Sequence, residues 1–81
     1  MIGYRVKLAR KAAGLSKREL SEKTGISVYM ISRIESDRVF PSSSQLISFS
    51  KALGQRTEFF IRPQGINRSD IRFFVHGKEV D

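Results

Sequence analysis

Along the first part of the chain, Ile2, Val6, Ala9 and Ala13 follow one another at steps of four, three and four residues, with Leu8 and Ala12 beside them. That spacing is the stripe of an amphipathic helix with one face on a core. Gly14 closes it, because glycine accepts the left-handed conformation in which helices often end. Ser16 then stands three residues before Glu19, with Leu20 behind, which is a capping-box pattern and starts a second helix near Lys17. This helix is short, since Thr24 and Gly25 make a break before Ile26. Ser27 is a good N-cap for a third helix over residues 28–35, in which Ile31 and Ile34 point one way and Val28, Tyr29, Ser32 and Arg33 the other. Residues 36–41 form a loop. Ser42 and Gln45 make a second capping box and open a fourth helix that carries Leu46, Ile47, Phe49, Ala52 and Leu53 and stops at Gly54.

The remaining pattern leaves alternatives. Residues 57–63 suit either one short helical turn capped by Thr57 or a strand rich in aromatic and β-branched side chains. Residues 71–75, with Ile71, Phe73, Phe74 and Val75, look more like a strand, and the polar stretch between the two would be the loop of a hairpin. A short β segment in the tail is therefore the alternative to an all-helical chain.

Length limits the architecture. At 81 residues the chain holds one domain. Without cysteine there is no disulfide framework, no thiolate zinc site and no thiol nucleophile, which suits a reducing cytoplasm. The apolar runs are far shorter than the roughly 20 residues that span a bilayer. Arg5, Lys7, Arg10 and Lys11 interrupt the N-terminal stretch, so no signal peptide is expected there.

The formal charge of +7 calls for an anionic partner. The excess lies toward the front, where Arg5, Lys7, Arg10, Lys11, Lys17, Arg18 and Lys23 face only Glu19 and Glu22. A membrane surface has the least support, because these cations are spread over separate helices instead of lining one amphipathic face.

Catalysis finds no foothold in the inventory, and no cofactor or metal is expected. His76 stands alone in the polar tail with no second histidine or cysteine. The serines lack a positioned histidine and are better explained as caps and polar surface. Glu19 and Glu22 share one helical side, yet Glu19 is taken by the capping box and nothing suggests the apolar pocket that would raise a carboxylate pKa. Gly3, Gly14, Gly25 and Gly54 sit near helix ends, outside any phosphate-cradling run.

Residues 17–34 are different, because they satisfy the demands of two helices crossing through a tight turn. Leu20 is an apolar anchor, Ser21 is small where the backbones approach, Gly25 makes the turn, and Ile31 and Ile34 bury the underside of the next helix. A helix of about eight residues is roughly 12 Å long, short enough for a B-DNA major groove about 12 Å wide. Its outward residues would be Val28, Tyr29, Ser32 and Arg33. Val28 could meet a thymine methyl or pack on the turn, and Met30 is expected to fill core.

The run Ser16, Lys17, Arg18, Glu19, Leu20, Ser21, Glu22, Lys23, Thr24, Gly25, Ile26, Ser27, followed by Ile31, Ser32, Arg33, Ile34 and Glu35, resembles the lambda-repressor-like (Cro/XRE) family of DNA-binding domains. Pro41, Ser42 and the Lys51, Ala52, Leu53, Gly54 run extend the resemblance to about residues 2–61. It implies an all-α, compact bundle of four or five helices with a helix-turn-helix, and a regulator of transcription acting as a dimer. It also implies that Lys17 caps the second helix and touches phosphate or base. By the same resemblance Ser27 contacts a phosphate, Val28, Tyr29 and Arg33 face the bases, and Arg10 pairs with Glu35 to set the recognition helix. The sequence departs from the family at Lys17, where glutamine is usual and a point charge favours phosphate over base, and at Ser21, where alanine is common. Arg18 and Arg38 join the DNA-binding candidates, and Lys7, Lys11 and Arg38 are placed to flank the groove, unless they are plain solvated cations.

The expected function is a sequence-specific, dimeric repressor or regulator that binds a double-stranded DNA operator. Residues 1–62 form the DNA-binding domain and residues 63–81 an extension for dimerisation or linkage. One alternative is the antitoxin of a toxin–antitoxin pair, favoured by Phe59, Phe60, Ile61, Phe73, Phe74 and Val75, which ask for burial against a protein partner. Another is the DNA-binding head of a longer protein, since residues 59–63 resemble the segment that links this domain to a zinc-peptidase domain in some bacterial regulators.

Overall fold

Local chemistry sets where each helix begins and ends. The structure, a computed structural model, describes residues 2–61, which form α1 (Ile2–Ala12), α2 (Lys17–Thr24), α3 (Val28–Glu35), α4 (Ser43–Leu53) and α5 (Thr57–Ile61). Both capping boxes are present. The Ser16 hydroxyl accepts the Glu19 N–H at 3.0 Å while the Glu19 carboxylate accepts the Ser16 N–H at 2.8 Å, and Ser42 with Gln45 does the same at 3.1 and 2.9 Å. Each pairing satisfies two amides that a helix start would otherwise leave without partners. At the other ends Gly25 (φ 79°) and Gly54 (φ 67°) adopt the left-handed conformation and return their N–H groups to the carbonyls of Ser21 and Ser50.

The helices close around Val6, Leu20, Ile31, Ile34, Phe49 and Phe60, all fully buried. Side chains of this size each contribute about 1.5–3 kcal/mol when taken from water. α1 packs on α3, α4 and α5, α2 packs on α3 and α4, and α4 meets α5. Among the described residues the fold is all-helical, and no helix is long and apolar enough to cross a membrane.

Residues 57–61 are helical, which removes the strand alternative for that stretch. Tertiary packing decides it. Phe60 slots into the core 6.5 Å from Phe49, Phe59 stands edge-on to Phe60 at 5.3 Å, and the Arg5 guanidinium lies over Phe59 while donating to its carbonyl at 3.1 Å. The expected strand at 71–75, the hairpin and His76 lie outside the described residues.

Two apolar stripes are narrower than the sequence spacing suggests. In α1 the buried set is Ile2, Val6 and Ala9, whereas Leu8, Ala12 and, beyond its end, Ala13 face outward. In α4 Phe49 and Leu53 are buried with Leu46 and Ala52 half-covered, but Ile47 is exposed. Residues at the edge of a stripe are covered only if a neighbouring helix happens to lie there.

Candidate nucleic-acid interface

The turn between α2 and α3 is closed by side chains as well as by Gly25. The Thr24 hydroxyl donates to the Leu20 carbonyl at 2.8 Å and accepts the Ile26 N–H at 3.1 Å, which holds Ile26 into the core. Ser27 then caps α3 by accepting the Met30 N–H at 3.0 Å. From that start α3 runs with Ile31 and Ile34 sealed underneath and Met30 half-buried at its side. The opposite face is open: Val28 is 41% and Tyr29 69% exposed, with Ser32 and Arg33 half-exposed beside them.

The far end of α3 is fastened to α1. Arg10 Nε donates to one Glu35 oxygen at 2.7 Å and Arg10 Nη2 to the other at 3.1 Å, a two-point pair in which both side chains are buried. A third Arg10 donor reaches the Leu15 carbonyl at 2.9 Å, so the guanidinium also fixes the turn after α1. One residue beyond the α3 C-cap, Asp37 sits at φ 61°, a left-handed conformation that aspartate tolerates better than most residues, and its carboxylate accepts the Gly3 N–H at 2.9 Å. Gly3 lies where the backbones touch. A Cβ there would collide with the Ile34 carbonyl and stand 2.7 Å from that of Glu35.

The residues singled out in the sequence fall into distinct positions. Lys17 is the first residue of α2 and does not cap it; the cap is Ser16, whose shorter side chain can fold back on its own helix. Lys17 instead spans to α3, where its ammonium donates to the Ser32 hydroxyl at 3.2 Å. This contact brings Lys17, Ser32 and the outward face of α3 together. Arg18 on α2, Ser27 at the α3 cap and Arg38 in the loop after α3 are exposed. Arg38 is held there by its own N–H, which bonds the Arg33 carbonyl at 2.9 Å. Lys7 and Lys11 are exposed on α1. Among the described residues the Arg10–Glu35 pair is the only salt bridge, so no described carboxylate touches these other cations.

Two features of the site were not evident in the sequence. Asp37 was visible only as a turn residue; its tie to Gly3 links positions 34 apart in the chain. The Arg33 guanidinium lies 5.6 Å from the centre of the Tyr29 ring, one helical turn earlier. Spacing of four residues on one helix face was the available signal.

Of the titratable groups near the site, Glu19 is shifted. The Ser16 backbone N–H, then the Ser16 side chain, hold its carboxylate below the ordinary value of 4.5, with a smaller contribution from Lys23.

A family model for helix-turn-helix domains matches residues 6–60, which spans all the elements just described except the first turn of α1 and the last residue of α5. No curated protein matches the chain.

Proposed function

Because the chain belongs to the helix-turn-helix family, and is thereby a DNA-binding regulator of transcription with a lambda-repressor-like domain, we propose that it is a sequence-specific repressor that grips its operator as a homodimer. The observation that carries this is the two-sided character of α3. Its underside is sealed by Ile31 and Ile34 while Val28, Tyr29 and Arg33 stand open to an approaching duplex. In this docking α3 enters the major groove, Arg33 reads a base edge, Val28 meets a thymine methyl, and Tyr29 faces the bases at the side of Arg33, acting through it. Lys17, Arg18, Ser27 and Arg38 bond the flanking phosphates, which set the register, and Ser32 holds Lys17 in place.

Two copies would present their recognition helices to half-sites about one turn of DNA, roughly 34 Å, apart. Tyr4, Leu8, Phe40 and Ile61 leave large apolar groups in solvent, and a second protein chain covering some of them favours a dimer. Residues 63–81 serve as the extension that joins copies or leads onward, and 1–62 as the DNA-binding unit. Phe59 and Phe60, expected to seek a protein partner, are packed in or against the chain's own core, and it is Ile61 with the other exposed groups that favours the antitoxin as second reading, with a toxin in place of the second copy. Stoichiometric co-purification of an unrelated protein from the native host selects the antitoxin; a homodimer alone selects the repressor.

Selection of bound sites from random duplex DNA, followed by footprinting, tests the proposal. A palindromic motif with half-sites one turn apart is the expected result. Binding without sequence preference, or none, would overturn it.

A further inference from the structure

We infer that Tyr29 is a positioning residue whose ring commits Arg33 to reading a base edge, in place of a phosphate, an inference that rests on the docking proposed above. Arg33 is half-buried, yet among the described residues its guanidinium has no carboxylate in contact and no hydrogen bond to a side chain or carbonyl. The five N–H donors of this guanidinium are therefore unspent within the described fold. Here its one directed contact is the Tyr29 ring, 5.6 Å from ring centre to guanidinium carbon.

That contact has a chemical consequence. Attraction between a cation and the face of an aromatic ring acts without using the in-plane N–H donors. Those donors remain available for the paired acceptors O6 and N7 that guanine presents in the major groove. The ring, itself 69% exposed, lies on the same outward face of α3 and restricts where the long arginine chain can swing. Fewer arginine conformations must then be lost on binding, and reach toward the phosphates at the groove edge is reduced. The device needs the ring and makes no use of the phenolic hydroxyl.

The test uses the 81-residue chain, a duplex chosen from a random pool, and its single-base variants. Arg33→Ala first identifies the guanine whose preference it erases. Tyr29→Leu should then weaken binding at that guanine by about two- to five-fold, the strength of an exposed cation–ring contact. Preferences elsewhere should not change, and the salt dependence should steepen, because the released Arg33 gains reach to a phosphate. Tyr29→Phe should match the parent, and Tyr29→Leu combined with Arg33→Ala should be no weaker than Arg33→Ala alone. In the DNA-free protein, upfield ring-current shifts of the Arg33 side-chain protons should be present in the parent and in Tyr29→Phe and lost in Tyr29→Leu.

A loss spread evenly over all positions, a Tyr29→Phe defect as large as that of Tyr29→Leu, or absent ring-current shifts would overturn the inference while leaving the docking intact. If Arg33→Ala alters no base preference at all, the docking itself is wrong and the inference falls with it.

Discussion

The clamped end of α3 and its outward face are built on opposite terms. At its C-terminal end Glu35 is locked to Arg10, Ile34 is sealed, and the following turn is tied through Asp37 to the first turn of α1. Its N-terminal half is held by the Ser27 cap and by Ile31 in the core, and along the outward face, from Val28 to Arg33, the side chains stay open beside the Lys17–Ser32 contact. A rod clamped at one end and free along one face can be held in a fixed direction without covering the groups that must meet a ligand. Stability and recognition are thereby assigned to different residues of one eight-residue helix.

That separation can be broken by substitution, beginning at the clamp. Arg10→Ala leaves the Glu35 carboxylate buried without its partner and is expected to cost about 3–5 kcal/mol in urea unfolding. Replacing both partners by apolar residues of similar size should cost less than either single change, because no lone charge remains. Gly3→Ala comes next. The methyl group meets backbone carbonyls that cannot rotate away, so a loss of about 1–3 kcal/mol is expected, visible as a lower urea midpoint at unchanged slope.

On the outward face the effects should move from stability to binding. Arg33→Ala is expected to leave unfolding within about 0.5 kcal/mol of the parent. The same change should weaken operator binding by about 1–3 kcal/mol, at one base position. Lys17→Ala should weaken binding to all duplexes alike and lower the salt slope by about 1, measured by titration at several salt concentrations. If Arg33→Ala unfolds the protein, or Arg10→Ala leaves it as stable as the parent, the division between clamp and outward face is wrong.

The smallest effect concerns acid. Ser16 depresses the folded-state pKa of Glu19, so this group's contribution is fully present above its unfolded value, about 4.5, and disappears as pH falls through the lower folded value. Glu19→Gln keeps the capping-box acceptor without the charge and should flatten the acid limb of stability slightly, read from urea midpoints across that range.

Helix starts were legible because a cap is a local event: Ser16, Ser27 and Ser42 each bond an amide three residues ahead. The outward set on α3 was legible for a similar reason, since Ile31 and Ile34 are apolar enough to claim the inside and leave Val28, Tyr29 and Arg33 outside. Leu8 and Ile47 misled because they flank a true stripe, and coverage there depends on where another helix lies. The run Thr57, Glu58, Phe59, Phe60, Ile61 carries both helix and strand character, and the slot beside Phe49 decides between them.

From its residues alone, then, the chain determined its first four helices, their ends and the face of α3 turned outward, because caps and periodicity act within a few neighbours. Only the tertiary structure decided how that helix is held. Gly3 with Asp37, Arg10 with Glu35 and Lys17 with Ser32 are 34, 25 and 15 positions apart, and of these the Arg10–Glu35 pair alone was expected beforehand, from the family resemblance. Contacts across such distances arise from helices meeting in space, and no local spacing along the chain encodes which residues will face each other there.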